Sequence, residues 1–559
     1  MKKLITSAFL AGFVTAGASA AVIEVTSDIT SDTTWTSAND YILTDIIYVK
    51  NGATLTINPG TIIRGEPEDG SAPYNPGALV VTRNGQIDAE GTPSNPIVFT
   101  TALLDSDGDG QYSDETYDYN TLIDYDAAIA AGAAFLDDDP IGDPLSPGSG
   151  YLSGTPGDQS HVGADEYRGL WGGVIILGNA PTNIMDITNG KLGKTTETAR
   201  DDLDDVFEGF IEGLDPDDTG TNDGVYGGSN PNDSSGTFKY VGIRHGGVNI
   251  AADNEINGLT MGGVGFGTLI EYVEVYCNDD DGFEWFGGTA NCRYLISLYN
   301  NDDSFDIDEG FTGLGQFWFS LQIDDNANGD HGGEHDGTNG AFDNVDVESL
   351  NGHILSGAGD DGTSGTGDSG FGIPVTYPTI YNATYLGAGT SEQMLKFEDS
   401  FGCNYYNSIF VGAEKEFIDA DNSFVKDGSN VSNNMQDRIT AGDCDFVSNS
   451  VVYNINGETG ALASTDISNN PSLATIIAAN NNVLGGTNPF STLTSSTVRA
   501  NVDPRATGAT PGGVDLAART ATFFITAGYA GAFNPQESDY WSDGWSVFDS
   551  KYALASGSR

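Results

Sequence analysis

IEYVEVYCNDDDGFEWFGG, residues 270–288, is followed at an offset of 22 residues by CRYLISLYNNDDSFDIDEG, residues 292–310. Tyr272 falls on Tyr294, Val273 on Leu295, Asn278 on Asn300, Asp280 on Asp302 and Asp281 on Asp303; Phe283 then falls on Phe305 and Glu284 on Asp306. A short apolar strand, an acidic turn and a second short strand thus recur at the period of one solenoid coil. In such a stack each residue lies over its counterpart at about 4.8 Å, the strand spacing of a sheet. Equivalent positions become columns, and Asp280, Asp281 and Glu284 are expected over Asp302, Asp303, Asp306 and Asp308. The predicted fold is all-β: a right-handed parallel β-helix, with long inserted acidic loops and a C-terminal cap.

Working outward, the same logic recurs. IIYVKNGATLTINPGTIIRG (46–65) places two apolar strands about the Asn58-Pro59-Gly60 turn, and LVVTRNGQIDAEGTPSNPIVFT (79–100) repeats it with Gly85, Gly91 and Pro96 as punctuation. Coils are expected over 21–500, interrupted by polar excursions near 103–165, 186–235 and 324–372 that are long for structureless connections and should project from the stack. The first contains a short helix candidate around Tyr125 to Phe135. The irregular, aromatic residues 501–559 are assigned to covering the open end, because a last rung exposes unpaired strand edges. Sustained helical periodicity is scarce, and 75 glycines suit a chain that turns every few residues.

The first 20 residues read as a signal peptide: Lys2 and Lys3, an apolar run to Gly17, and an Ala18-Ser19-Ala20 cleavage site. The mature chain is therefore expected to be exported, to the cell exterior, outer surface or periplasm, with no transmembrane segment. Its net charge of −60 excludes nucleic acid as a partner and disfavours anionic membranes. Self-repulsion on that scale calls for counter-ions. The acids cluster in turns, which favours bound calcium over a merely salt-adapted surface. Four cysteines, Cys277, Cys292, Cys403 and Cys444, permit three disulfide pairings after export, or four buried thiols.

Two sets of calcium ligands stand out. In DSDGDGQYSDET (105–116), Asp105, Asp107 and Asp109 take positions 1, 3 and 5 of an EF-hand-like loop, with Gly110 at the turn and Gln111 offering a carbonyl. Position 12 is Thr116, with Glu115 one place early, so the loop is only half of that motif. The second set is the stacked column, Asp280, Asp281, Glu284, Asp302, Asp303, Asp306 and Asp308. Carboxylates about 5 Å apart repel unless protonated, hydrogen-bonded or bridged by a cation. Facing outward they bind calcium, or supply the general acid of a glycoside hydrolase or polysaccharide lyase. Phe283 and Phe305, in the same register, read as an internal aromatic stack.

Other motifs carry less. His331-Gly332-Gly333-Glu334-His335 matches a zinc-peptidase pattern that needs a helix, and glycine at this density opposes one. Arg244, His245 and Arg293 lie near the acidic coils, and read as structural partners of carboxylates before they read as catalytic bases.

NGATLTINPGTIIRG, GQIDAEGTPSNPIVFTT, GLWGGVIILGNAP, EINGLTMGGVGFGTLIEYVEV, DDGFEWFGGTAN and YAGAFNPQESDYWSDGW together resemble a group of secreted bacterial right-handed parallel β-helix proteins, largely uncharacterised surface and exported products. The resemblance runs from about 45 to 550 and implies the fold strongly and an activity hardly at all. The wider class includes pectate lyases and polygalacturonases, whose paired aspartates on coil strands resemble Asp280-Asp281 and Asp302-Asp303 only faintly. The resulting expectation is a calcium-stabilised β-helix that binds a polysaccharide or a cell-surface partner. The alternative is a polysaccharide lyase or glycosidase using the acidic column.

Overall fold

The computed structural model describes residues 21–67, 76–105, 134–135, 168–183, 208–211, 213–214, 221–251, 254–322, 329–337, 376–387, 393–398, 401–420, 423–426, 429–432, 444–455, 467–468, 471–490, 503–506 and 523–548. Residues 1–20, with the leader expected there, and much of the three polar excursions lie outside these. Nearly every described element is a short strand, and the strands stack in parallel into a β-helix. No described helix is long and apolar enough to cross a membrane.

One wall is a ten-stranded parallel sheet running from Ile46–Val49 through Val174–Leu177, Leu259–Gly262, Phe283–Phe286, Phe305–Asp308 and Gly333–Asp336 to Ile467–Ser468. Its register is the one the repeat dictates: Phe283 pairs with Phe305, Glu284 with Asp306, Trp285 with Ile307 and Phe286 with Asp308. The other walls come from longer strands such as Leu269–Tyr276 and Asn291–Leu298. Each of these bends at one residue. Tyr240, Tyr272, Tyr294 and Phe317 have φ of 50°, 58°, 60° and 59°, the left-handed region, and the ladder skips from Glu271↔Arg293 to Val273↔Leu295.

A left-handed conformation at a bulky residue costs roughly 1–2 kcal/mol. The four rings offset part of that by stacking on one another, with centroids 4.4, 4.3 and 4.9 Å apart along the column; each aromatic pair contributes about 0.5–1.5 kcal/mol beyond its burial. The corner is therefore affordable only because it repeats.

Inside, rings from opposite walls meet. Phe305 stacks on Phe283 at 5.4 Å, on Trp318 at 4.9 Å and on Tyr385 at 5.2 Å, and Trp285 stacks on Trp318 at 4.9 Å. All five are fully buried, as expected of an internal stack. The four cysteines are buried, and none forms a disulfide. At the end of the stack, the helix Pro471–Ala479 sends Leu473 and Ile477 into the core. Of the helix candidate around Tyr125 to Phe135, only Ala134–Phe135 is described, as a strand antiparallel to Leu104–Asp105; the rest lies outside the described residues.

Residues 523–548, which the sequence reading placed over the open end, lie lengthwise along the flank of the long strands. Trp541 meets Tyr294 at 5.1 Å and Trp545 meets Tyr272 at 6.0 Å. The Val547 N–H donates to Glu274 Oε2 at 2.8 Å and the Ile525 N–H to Gln316 Oε1 at 2.8 Å. The aromatic column accounts for this: uncovered, four stacked rings would make an apolar stripe that water solvates poorly.

Because Phe305 fills the lumen between two walls, Phe305→Ala should lower the unfolding free energy by about 3–5 kcal/mol. Phe266, which is 43% exposed, serves as the control: Phe266→Ala should change it by no more than about 0.5 kcal/mol. Urea unfolding of the two variants makes the comparison, and similar losses in both would contradict the packing described.

Candidate functional site

On the ten-stranded wall, alternate residues face out, and the outward column changes character along the stack. Val80, Ile175, Thr260, Glu284 and Asp306 succeed one another in register, and one rung further Glu334 pairs with Lys396. Aliphatic gives way to acidic, and acidic to basic.

The turn before each of these strands adds a second column, set by an asparagine ladder. The Asn278 N–H donates to Asn300 Oδ1 at 2.9 Å, and Asn278 Nδ2 donates back to the Asp281 carbonyl at 2.9 Å. Gly282 closes the turn, where a Cβ would lie 2.5 Å from Asn300 Nδ2 and 2.6 Å from Ser297 Oγ. Carboxylates then stitch one rung to the next: Asp281 Oδ1 accepts the Asp303 N–H at 2.9 Å, and Asp303 Oδ1 accepts the N–H of His331.

Turn and strand columns enclose a cavity of about 250 Å³. Asp280, Asp281, Glu284, Asp302, Asp303, Asp306 and Glu334 form its acidic side; Ile175, Ile211, Ile256 and Phe286 form an aliphatic and aromatic wall, with Asn257 and Thr260 between. Oxygens of Asp281, Glu284 and Asp306 lie within 4.8 Å of one another, as do oxygens of Asp280, Asp281 and Asp302. Asn257 is 5% exposed; its Nδ2 donates to Glu284, and its Oδ1 has no hydrogen-bond partner among the described residues. Asp306 Oδ1 is likewise a buried acceptor without a hydrogen bond there.

The electrostatics differ across the site. Burial pushes the Asp281 carboxyl well above the usual range, with Asp280 and Asp303 adding to the effect. Burial raises Asp306 in the same way, helped by Asp308 and Asp281. The far side is compensated. Burial would lower His331, but the Asp303 carboxylate and hydrogen bonds to Asp303 and Glu334 raise it to about 11. Burial also lifts Asp303 to about 7 against the pull of His331. We take the pair as imidazolium facing carboxylate, since His331 Nδ1 lies 2.9 Å from Asp303 and 3.4 Å from Glu334, and Nε2 lies 3.7 Å from Asp330. Glu334, which burial would raise, is held at about 2 by His331 and by Lys396, whose Nζ lies 2.6 Å away.

Six of the seven column residues expected from the repeat line this cavity, and Asp308 does not. Asp105 ends the short strand Leu104–Asp105, while Asp107, Asp109, Gln111 and Glu115 lie outside the described residues. His331 precedes the strand Gly333–Asp336 and His335 lies within it, neither on a helix, and they separate. His335 is buried in the core with Nε2 2.7 Å from the Tyr405 hydroxyl, and burial lowers it to about 3. Arg293 Nε donates to Glu271 Oε1 at 2.9 Å and Arg244 lies 3.9 Å from Glu274, both away from the cavity. Sequence reasoning missed Glu334, Asn257 and the apolar wall. A signal for Glu334 existed, since GGEHD repeats the strand of SFDID, but at an offset of 28 residues instead of 22.

A family model described as a pectate-lyase like beta helix domain matches residues 27–110 and 215–489. The chain belongs to that pectate-lyase-like β-helix family. No curated protein and no solved structure matches it. Within this pectate-lyase-like β-helix, the cavity sits on the outer face of a parallel wall, where rigid strands fix the side chains and loop residues such as Ile211 complete the rim.

Between the ordinary carboxylate range and their raised values, Asp281 and Asp306 hold protons that the unfolded chain releases. The folded state then binds more protons, so unfolding free energy falls as pH rises. His335, held neutral by burial, contributes the opposite slope up to the ordinary imidazole range, so the carboxyl effect is read by difference. In chelator, the unfolding free energy of the wild type minus that of Asp281→Asn should fall as pH rises above the ordinary carboxylate range, and a difference that rises would contradict the burial of Asp281.

Proposed function

We propose that this protein is an exported β-helix whose acidic cavity binds a divalent cation, calcium, and holds a polysaccharide against the same rigid face. The observation that carries this reading is the convergence of carboxylates from three successive rungs on one cavity whose lining includes no basic side chain among the described residues. Calcium takes six to eight oxygen ligands in adaptable geometry. Asp281, Glu284 and Asp306, with the buried acceptor Asn257 Oδ1, offer hard oxygens of the right kind. A bound cation would turn repulsion between stacked rungs into cross-linking, so metal binding and folding are coupled. It would also release the protons held by Asp281 and Asp306. Membership of a pectate-lyase-like family supports a polysaccharide as the ligand.

One observation favours catalysis as a second reading. Proton-holding carboxyls at Asp281 and Asp306 beside an ionised Glu334 are the pairing that general acid–base cleavage of a glycosidic bond uses. Turnover of polysaccharide abolished by Asp306→Asn, with ligand affinity retained, would establish it.

The primary test is calcium titration of the mature chain, read by calorimetry and thermal unfolding. Calcium at about 100 times its Kd should add roughly 2.7 kcal/mol of stability, and chelator should remove it. The triple variant Asp281→Asn, Glu284→Gln, Asp306→Asn should lose both the heat of binding and the stabilisation. Unchanged calcium affinity in that variant would place the cation elsewhere.

A further inference from the structure

We infer that the cavity takes the end of a glycan chain, one terminal sugar unit, and not a stretch from its middle. The inference rests on the glycan reading above and specifies which part of the polymer the site holds.

The cover over the ten-stranded wall changes along the stack. Its outer face carries two columns of side chains. In one, Val80, Ile175, Thr260 and Glu284 are buried, whereas Asp306 is only half-buried, as are Glu334 and Lys396 further on. In the other, Leu177, Gly262 and Phe286 are buried, whereas Asp308 is half-buried, as are Asp336 and Glu398. Both columns emerge at the same strand, Phe305–Asp308, and the cavity sits at that step.

The cover itself is a strap from the second polar excursion. Gly209–Phe210 and Val225–Tyr226 pair antiparallel, and Ile211, Leu214 and Tyr226 pack on Val80, Ile175 and Leu177 in one buried apolar cluster. The Tyr226 ring lies against the wall at Gly262, where a Cβ would come within 2.6 Å of it. Three polar contacts fasten the strap. Arg83 Nη1 donates to the Gly227 carbonyl at 2.9 Å, Lys50 Nζ to Asp223 Oδ2 at 2.7 Å and the Tyr226 hydroxyl to Glu309 Oε2 at 2.6 Å. Each buried apolar side chain adds about 1.5–3 kcal/mol, so a ligand gains too little to lift the strap. Beside Phe286 the wall is closed as well, because a Cβ on Gly287 would meet Thr182 at 2.9 Å.

A glycan laid along this face therefore meets a blind end, formed by Ile175 and Ile211. The mouth lies on the other side, where Asp302 is exposed and Asp280 and Glu334 are half-buried. At about 250 Å³ the cavity falls below the roughly 300–1,000 Å³ of sites for drug-sized ligands, which leaves room for one pyranose ring and its substituents. An internal sugar unit carries glycosidic bonds at both ends, and one of the two neighbours would have to pass through the strap. A terminal unit avoids that clash. Discrimination of this kind comes from steric exclusion of the wrong ligand, with Ile175 and Ile211 as the residues that set it.

The test is calorimetry on the mature chain at saturating calcium, with 1,4-linked oligomers of galacturonate, glucose and N-acetylglucosamine from one to six units long. In a series that binds, affinity should level off by the trimer. A benzyl group on one end of the trimer, as a glycoside at the reducing end or a 4-O ether at the non-reducing end, should weaken binding about tenfold or more. The same group on the opposite end should change it by less than about twofold. Ile211→Trp, which extends the blind end into the cavity, should weaken the trimer about tenfold, with thermal unfolding reporting that the variant is folded. Affinity that climbs with every unit through the hexamer, or a trimer that tolerates both caps, overturns the inference and leaves a glycan site open at both ends. Calcium binding with no affinity for any series overturns both this inference and the glycan part of the proposed function.

Discussion

In-register stacking at the strand spacing is the constraint from which the rest of this molecule follows. It forces each side chain to sit on its counterpart one rung away, and the consequence depends on chemistry alone. Rings gain from it, as Phe283 on Phe305 and Trp285 on Trp318 show inside the lumen. Asparagines gain too, because Asn300 Oδ1 accepts the Asn278 N–H of the preceding rung. Carboxylates lose, and the chain tolerates that loss along the ten-stranded wall. There Asp281 and Asp303 recover part of it by accepting N–H groups from the following rung. The remainder is what a bound cation would relieve.

Repulsion between stacked acids is relieved differently at the two ends of the cavity. Toward Lys396 and His331 the protein supplies its own positive charge, and Glu334 is ionised far below the usual range. Toward Asp281 and Asp306, burial raises the carboxyls instead. Within one cavity, carboxyls are therefore held on both sides of their usual range, low beside Lys396 and His331 and high where burial dominates.

What the sequence made legible was whatever the 22-residue period repeats. The Phe283–Phe305 pair, the Glu284–Asp306 pair and the turn acids were read in their true register, because no residue is inserted between those rungs. Glu334 was lost where the spacing lengthens to 28. The column continues in space, but its period in sequence does not. Asn257 could not be found, since nothing marks one asparagine among many until its neighbours are placed. Ile211 reaches the cavity from a long polar excursion, where periodicity carries no information. The tail was legible as aromatic and irregular but not as a flank element. Its target, the left-handed column Tyr240, Tyr272, Tyr294 and Phe317, exists only once four rungs have been stacked.

That tail changes how the molecule can come apart. A simple solenoid couples only neighbouring rungs, so it can fray from either end one coil at a time. Here Gly544 lies against Pro93 near the start of the stack, Val547 is bonded to Glu274 midway, and the Gly531 N–H donates to the Asn407 carbonyl at 2.7 Å near its far end. One continuous segment spans rungs that otherwise share no contact, as a clasp spans the leaves of a book. Losing a terminal coil then means lifting the clasp from the middle ones as well, and a nearly one-dimensional architecture acquires the all-or-none behaviour of a globular domain.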